Sequence, residues 1–158
     1  MNAAPNPRNA AVIVAAEGLR VGGRTIPLLA GAVHYWQMEP RHWRRVLEQC
    51  AAMGLGVVDT YVPWAVHEID RARSEYDFGR LDARKNLGAF LDLVGELGLW
   101  AMVRPGPHVN AELTYLGLPE RIVVDPQIWA RSADGDPLYL PSPPRFFAVP
   151  SYASEKFH

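Results

Sequence analysis

Two carboxylates and a set of aromatic rings stand where apolar runs of this chain end. Glu112 closes the run Leu99–Val103 by way of Arg104-Pro105-Gly106-Pro107-His108-Val109-Asn110-Ala111. Glu68 follows Gly56-Val57-Val58-Asp59-Thr60-Tyr61-Val62-Pro63-Trp64 at a similar remove. Two acids at neighbouring strand ends can hold sugar hydroxyls or work as an acid and base pair. Glu68 is equally open to a loop ion pair or a turn cap. Asp59 lies inside its strand and turns inward or outward with a single register step. Tyr35, Trp36, Tyr61, Trp64 and Tyr115 lie at or near strand ends. A ring with a polar tip covers the flat C–H face of a sugar well. Tyr61 and Trp64 favour that use, whereas Trp43 and Trp100, inside helix and strand patterns, read as core.

Other chemistries find little support. His34, His42, His67, His108 and His158 show no paired ligand spacing, and His67-Glu68 lacks the second His a helical zinc motif needs. No metal site is expected. His34, His67 and His108 read as hydrogen-bonding supports, and Arg104 as a guanidinium that clamps a carboxylate and so sets a pocket wall. Gly22-Gly23 precedes the wrong kind of element for a nucleotide fingerprint, and no Ser occupies a nucleophile elbow. No cofactor is expected.

The elements that position these residues follow from pattern. Continuous apolar runs read as strands buried on both faces, and polar groups at their C-terminal ends suit the ligand face of a β/α barrel. Gly18–Pro27 reads as a hairpin turning at Gly22-Gly23, since glycine supplies the positive φ of a tight turn. A strand is expected over Leu28–Tyr35. Pro40 opens a helix whose Trp43, Val46, Leu47 and Cys50 share one face, and Gly54 stops it. A second helix is expected from about Asp82 to Leu97, with the stripe Leu87, Phe90, Leu91, Val94 and Leu97. Leu99–Val103 makes the third strand. Strands alternating with helices of this length imply an α/β fold with a parallel sheet. Residues 117–150 hold Pro141, Pro143, Pro144 and Pro150 and read as one long irregular loop, and Tyr152–His158 as the start of a helix. Residues 1–10 read as a disordered lead-in, leaving 11–158 as one domain.

Charge and cysteine usage limit the partners. Lys plus Arg number 16 against 17 Asp plus Glu, so nothing draws the chain to nucleic acid or an anionic membrane. No apolar run nears the roughly 18 residues of a membrane span. Met1–Arg8 lacks a basic leader pattern, and the single Cys50 can form no internal disulfide. A cytoplasmic location is the expectation.

Several strings together resemble one family. Gly31-Ala32-Val33-His34-Tyr35, Thr60-Tyr61-Val62-Pro63-Trp64, His67-Glu68, Tyr76-Asp77-Phe78, Arg104-Pro105-Gly106-Pro107, Ala111-Glu112 and Gly117-Leu118-Pro119 are similar, in order and spacing, to the β-galactosidases of glycoside hydrolase family 35. The resemblance covers about residues 19–123. It implies a (β/α)8 barrel with retaining chemistry at its top and a β-linked galactoside as substrate. It also implies that Tyr61, Ala111 and Glu112 contact the terminal galactose, with Glu68, Trp64 and Asn110 as further candidates. The chain departs from the family's pattern at Ala65, Ile69, Asn110 and Leu113, which leaves room for another β-linked sugar.

In such enzymes the acid/base Glu follows an Asn at the fourth strand and the nucleophile ends the seventh. No Asn-Glu dipeptide occurs here, so no catalytic residue is expected in this chain. A whole barrel takes about 250 residues. The expectation is therefore a partial barrel: the first three β/α units, preceded by the hairpin, of an exo-β-glycosidase whose remaining sequence completes it. Two other readings stay open: a non-catalytic sugar-binding remnant, and a piece of another barrel glycosidase family.

Overall fold

The computed structural model describes residues 11–26, 29–139 and 147–158. The expected lead-in over 1–10, Leu28 of the first expected strand, and Pro141, Pro143 and Pro144 lie outside them. The chain divides into two compact units: Met1–Thr60 with Phe78–Val103, and Tyr61–Asp77 with Arg104–His158.

The first unit opens with an antiparallel sheet of β1 (Val12–Ala15), β2 (Gly18–Val21) and β3 (Arg24–Ile26), in that order. Gly22 and Gly23 both take positive φ, 55° and 81°, which lets two residues turn β2 into β3. The hairpin thus carries an additional strand, β1, paired from Val12↔Val21 to Ala15↔Gly18. Val21, Ile26 and Val57 form a small buried cluster with Leu19 and Trp100 packed on it.

A second sheet has the order β4 (Ala30–Ala32), β5 (Val57–Val62), β8 (Trp100–Pro105). β4 and β5 run parallel, Ala30 opposite Val57 and Ala32 opposite Asp59. Trp100 N–H donates to the Gly56 carbonyl at 3.0 Å and Gly106 N–H to the Val62 carbonyl at 3.2 Å. Both bonds advance six residues along each strand, the signature of parallel pairing. β5 is buried from Val57 to Thr60. β8, also expected to be buried on both faces, is exposed from Ala101 to Pro105. No strand pairs its far edge among the described residues, and the run that looked like core is exposed there.

Helix α1 (Pro40–Ala52) starts at Pro40 and buries Trp43, Leu47 and Cys50, as its spacing requires. Gly54, at φ 81°, follows its end and donates to the Ala51 carbonyl. Helix α3 (Leu87–Glu96) begins later than Asp82. Asp82 caps a short 3-10 turn, Ala83–Lys85, by accepting from Arg84 N–H, and Asn86 then caps α3 by accepting from Ala89 N–H at 2.9 Å. Two caps in sequence mean two turns rather than one helix. Tyr35 lies in a 3-10 turn, Tyr35–Gln37, and is fully buried. Its ring centroid is 5.5 Å from that of Phe90, and Trp43 Nε1 donates to its carbonyl. Tyr35 is therefore core, not a strand-end sugar contact.

The second unit holds helix α2 (Trp64–His67), the hairpin β6 (Glu68–Asp70) and β7 (Glu75–Tyr76), and helix α4 (Glu120–Val123). The segment expected as an irregular loop has a core of its own. Leu116, Leu118, Ile122, Val123, Ile128 and Phe147 are buried together. Bridges join Trp129 to Pro150, Arg131 to Pro137 and Tyr139 to Ala148. Residues 152–158 form turns rather than a helix, with Ser154 N–H donating to Ser151 and Phe157 N–H to Ser154. Tyr152 and Phe157 pack ring against ring there at 5.1 Å. No helix among the described residues is long and apolar enough to cross a membrane.

Candidate functional site

Tyr61 sits where β5 ends and Arg104 where β8 ends. The Arg104 guanidinium carbon lies 4.2 Å from the centroid of the Tyr61 ring. A cation over a ring face is held by the ring's negative quadrupole, which fixes the plane of the phenol.

Ala111 and Glu112 lie on the segment that follows β8. Ala111 is buried and Glu112 exposed. Glu112 makes no hydrogen bond or ion pair among the described residues. It holds φ at 52°, a left-handed conformation that a non-glycine residue adopts at a cost of about 1–3 kcal/mol. Tyr115 and Leu116 repeat that strain at 55° and 56°, and Gly117 follows at 78°. Local bonds and packing hold these turns in place. Val109 N–H donates to the Leu116 carbonyl at 2.8 Å, and Leu118 N–H to the Tyr115 carbonyl at 3.1 Å. Val109, Leu116 and Leu118 are all buried. A Cβ on Gly117 would lie 2.7 Å from Val109 Cγ2 and 3.2 Å from Pro63 Cβ. The segment presenting Glu112 is thus tightly seated at its base. Asn110 is exposed, with its Oδ1 3.3 Å from His108 Nε2.

Glu68 has both carboxylate oxygens engaged inside the chain. Trp64 Nε1–H donates to Oε1 at 3.0 Å, and Arg121 donates from Nε to Oε2 at 3.1 Å and from Nη2 to Oε1. The fork-on-fork geometry is the strong form of this ion pair. The Glu68 side chain is only 13% exposed. Arg121 also lies over the Trp64 ring, 5.0 Å from its centroid, and Phe157 meets that ring edge-on at 5.9 Å. Of the two readings of Glu68, the ion pair is the one the geometry realises. Arg121 escaped the sequence reading because it stands 53 residues away with no local pattern to mark it.

The histidines occupy different settings. His67 is buried, its Nδ1 is 2.7 Å from the Asp77 carbonyl, and Asp77 N–H donates to the His67 carbonyl at 2.8 Å. The buried Asp77 was legible only as part of a family string. His34 stacks on Trp36, with centroids 5.4 Å apart and planes 11° from parallel. Asp59 is buried within β5, and its carbonyl accepts from Val33 N–H. Among the described residues no three His, Cys, Asp or Glu side chains gather as metal ligands would.

A parallel sheet with acidic and aromatic residues just beyond its strand ends is the kind of frame on which α/β hydrolytic enzymes place ligands. The chain belongs to a family of that kind: the profile of "Glycosyl hydrolases family 35" matches residues 18–148. A human protein named β-galactosidase-1-like protein 2 is 36% identical over 108 residues, covering 68% of this chain and 16% of that protein. Probable β-galactosidase B of Emericella nidulans is 31% identical over 138 residues, 87% of this chain and 13% of that protein. The exo-β-D-glucosaminidase of Thermococcus kodakarensis is 30% identical over 135 residues, 84% of this chain and 17% of that protein. The chain therefore spans about one sixth of the length of these curated relatives or less.

Proposed function

We propose that this chain is the N-terminal portion of a retaining exo-β-glycosidase acting on terminal β-galactosides, and that it supplies one wall of the sugar subsite. The family match over residues 18–148 carries this reading. In it, β4, β5 and β8 are the first three strands of a (β/α)8 barrel. The Tyr61 hydroxyl and the Glu112 carboxylate bind galactose hydroxyls, with the Ala111 backbone and Asn110 beside them. Arg104 over the Tyr61 ring and the strained backbone of Glu112 support this assignment, since both groups are held before any ligand arrives. Glu68 and Trp64 bind each other and Arg121, which favours a positioning role for them; His34 and His67 likewise support.

In the complete enzyme two carboxylates about 5–5.5 Å apart perform the reaction. One protonates the leaving oxygen while the other forms a glycosyl-enzyme bond that water then cleaves. This chain has no Asn-Glu strand end to supply the acid, so it binds sugar without turnover. The test pairs hydrolysis of a chromogenic β-galactoside with calorimetric titration of galactose into the pure chain. Weak binding with no hydrolysis is expected. A robust turnover rate overturns the inactivity, and absence of galactose binding overturns the subsite.

A second reading concerns the sugar. Ala65, Ile69, Asn110 and Leu113 depart from the family pattern, and one relative carries the name exo-β-D-glucosaminidase. Titration with glucosamine decides it: tighter binding than galactose moves the assignment to an amino sugar.

A further inference from the structure

A cavity of about 160 Å³ opens in the second unit beside the tip of the β6–β7 hairpin. That is roughly ten times the 10–15 Å³ that holds one water, room for a sugar-sized ligand. Arg71, Ser74, Tyr76, Arg121 and Lys156 line it with the rings of Trp64 and Phe157, and the Glu68 carboxylate that Arg121 engages and His158 complete the lining.

Two of the three cations in this lining are already engaged. Arg121 is bound bidentately by Glu68. Lys156 Nζ lies 2.6 Å from Asp125 Oδ2 and donates to Gln127 Oε1 at 3.0 Å. The Arg71 guanidinium makes no hydrogen bond or ion pair among the described residues, although the Arg71 carbonyl accepts from Ser74 N–H at 3.0 Å. The hydroxyls of Ser74 and Tyr76 likewise make none. A guanidinium and two hydroxyls with no hydrogen-bond partner among the described residues therefore share one cavity with aromatic rings. The Asp125 carboxyl is held below the usual carboxylate range, first by the Lys156 hydrogen bond and in lesser part by the charge of Arg71.

We propose that this cavity binds an acidic monosaccharide of the uronate class, its carboxylate on Arg71 and its ring hydroxyls on Ser74 and Tyr76. A planar fork of N–H donors matches a carboxylate bidentately, and the aromatic wall suits a sugar's C–H face. Neither Tyr61 nor Glu112 is in its lining, and its existence does not rest on the function proposed for them.

The test is calorimetric titration of the 158-residue chain with sodium galacturonate, galactose and acetate in parallel. Galacturonate is expected to bind about tenfold more tightly than either acetate or galactose, a preference on the scale of one hydrogen-bonded charge contact, and to weaken as salt rises. Arg71→Ala is expected to remove that preference and to leave galactose binding unchanged. Arg71 is exposed, so the variant should keep its far-ultraviolet circular dichroism; Tyr76→Phe is the second variant and should weaken galacturonate severalfold. Acetate binding as tight as galacturonate, or galacturonate binding indifferent to Arg71→Ala, overturns the proposal.

Discussion

β5 and β8 begin as similar sequences and end in opposite environments. Val57-Val58 and Ala101-Met102-Val103 are both apolar runs leading to polar strand ends. In β5, Val58 is 0% exposed; in β8, Met102 is 45% exposed. The two strands also differ in sheet position. β5 has β4 on one side and β8 on the other, while β8 has β5 alone among the described residues. An apolar run reports what a strand can tolerate; what packs on its two faces decides whether it is buried. Trp100, Ala101 and Met102 accordingly line an apolar recess of about 260 Å³ with side chains of β1, β2 and β3, and an unpaired edge of this kind invites association.

The largest expected effect separates the two strands directly. Val58→Asp places a charge with no partner in the sheet interior, a cost of several kcal/mol, comparable with the roughly 5–15 kcal/mol that stabilises a domain. It should abolish cooperative urea unfolding. Met102→Asp should change the unfolding free energy by less than about 0.5 kcal/mol and reduce aggregation in size-exclusion chromatography. Equal losses from both substitutions would mean that β8 is buried in solution.

A second pair contrasts enclosed and open backbone. Gly117→Ala combines positive φ with a clash against Val109 and Pro63 and should cost about 1–3 kcal/mol. Gly23→Ala has the same sign of φ but nothing within 4 Å, so its cost should stay near 1 kcal/mol. Thermal or urea denaturation checks the order of the two.

Smaller effects follow at the ion pairs. Arg121→Met leaves the partly buried Glu68 with Trp64 as its remaining partner. The expected loss is about 1–2 kcal/mol, between that of a surface pair and a buried one, with a change in Trp fluorescence as Arg121 leaves the Trp64 ring. Asp82, bonded by Arg84, and Asp125, bonded by Lys156, both titrate below their usual range. A carboxyl lowered in the folded state stabilises above its unfolded pKa, about 4, and loses that contribution as pH falls through the folded value. Both are only half-buried, with side chains 27% and 20% exposed, so the change is slight and salt-sensitive. Asp125→Asn should flatten its share of the acid dependence of the urea midpoint.

What was readable in the chain follows the range of the interactions involved. Pro40 and the spacing of Trp43, Leu47 and Cys50 announce α1 because a helix is decided by residues three and four apart. Gly22-Gly23 announces its hairpin for the same local reason. β1 went unread because a strand of four residues means nothing until its partner is known. The buried set Leu116, Leu118, Ile122, Val123, Ile128 and Phe147 has no single period, so only folding brings it together. At the candidate site, strand-end position was enough to single out Tyr61 and Glu112. The left-handed turns at Glu112, Tyr115 and Leu116 were not legible, since ordinary residues carry no propensity for that conformation. The link from Glu68 to Arg121 joins positions 53 residues apart and leaves no trace in either neighbourhood.

The central claim is that Tyr61, Ala111 and Glu112 make one sugar-holding wall. Amide chemical-shift mapping of the isotope-labelled chain during galactose titration tests it most directly. The account expects the largest perturbations at Tyr61 and at Ala111-Glu112, rising together along one binding curve. Saturable shifts that leave these three residues unmoved would contradict it.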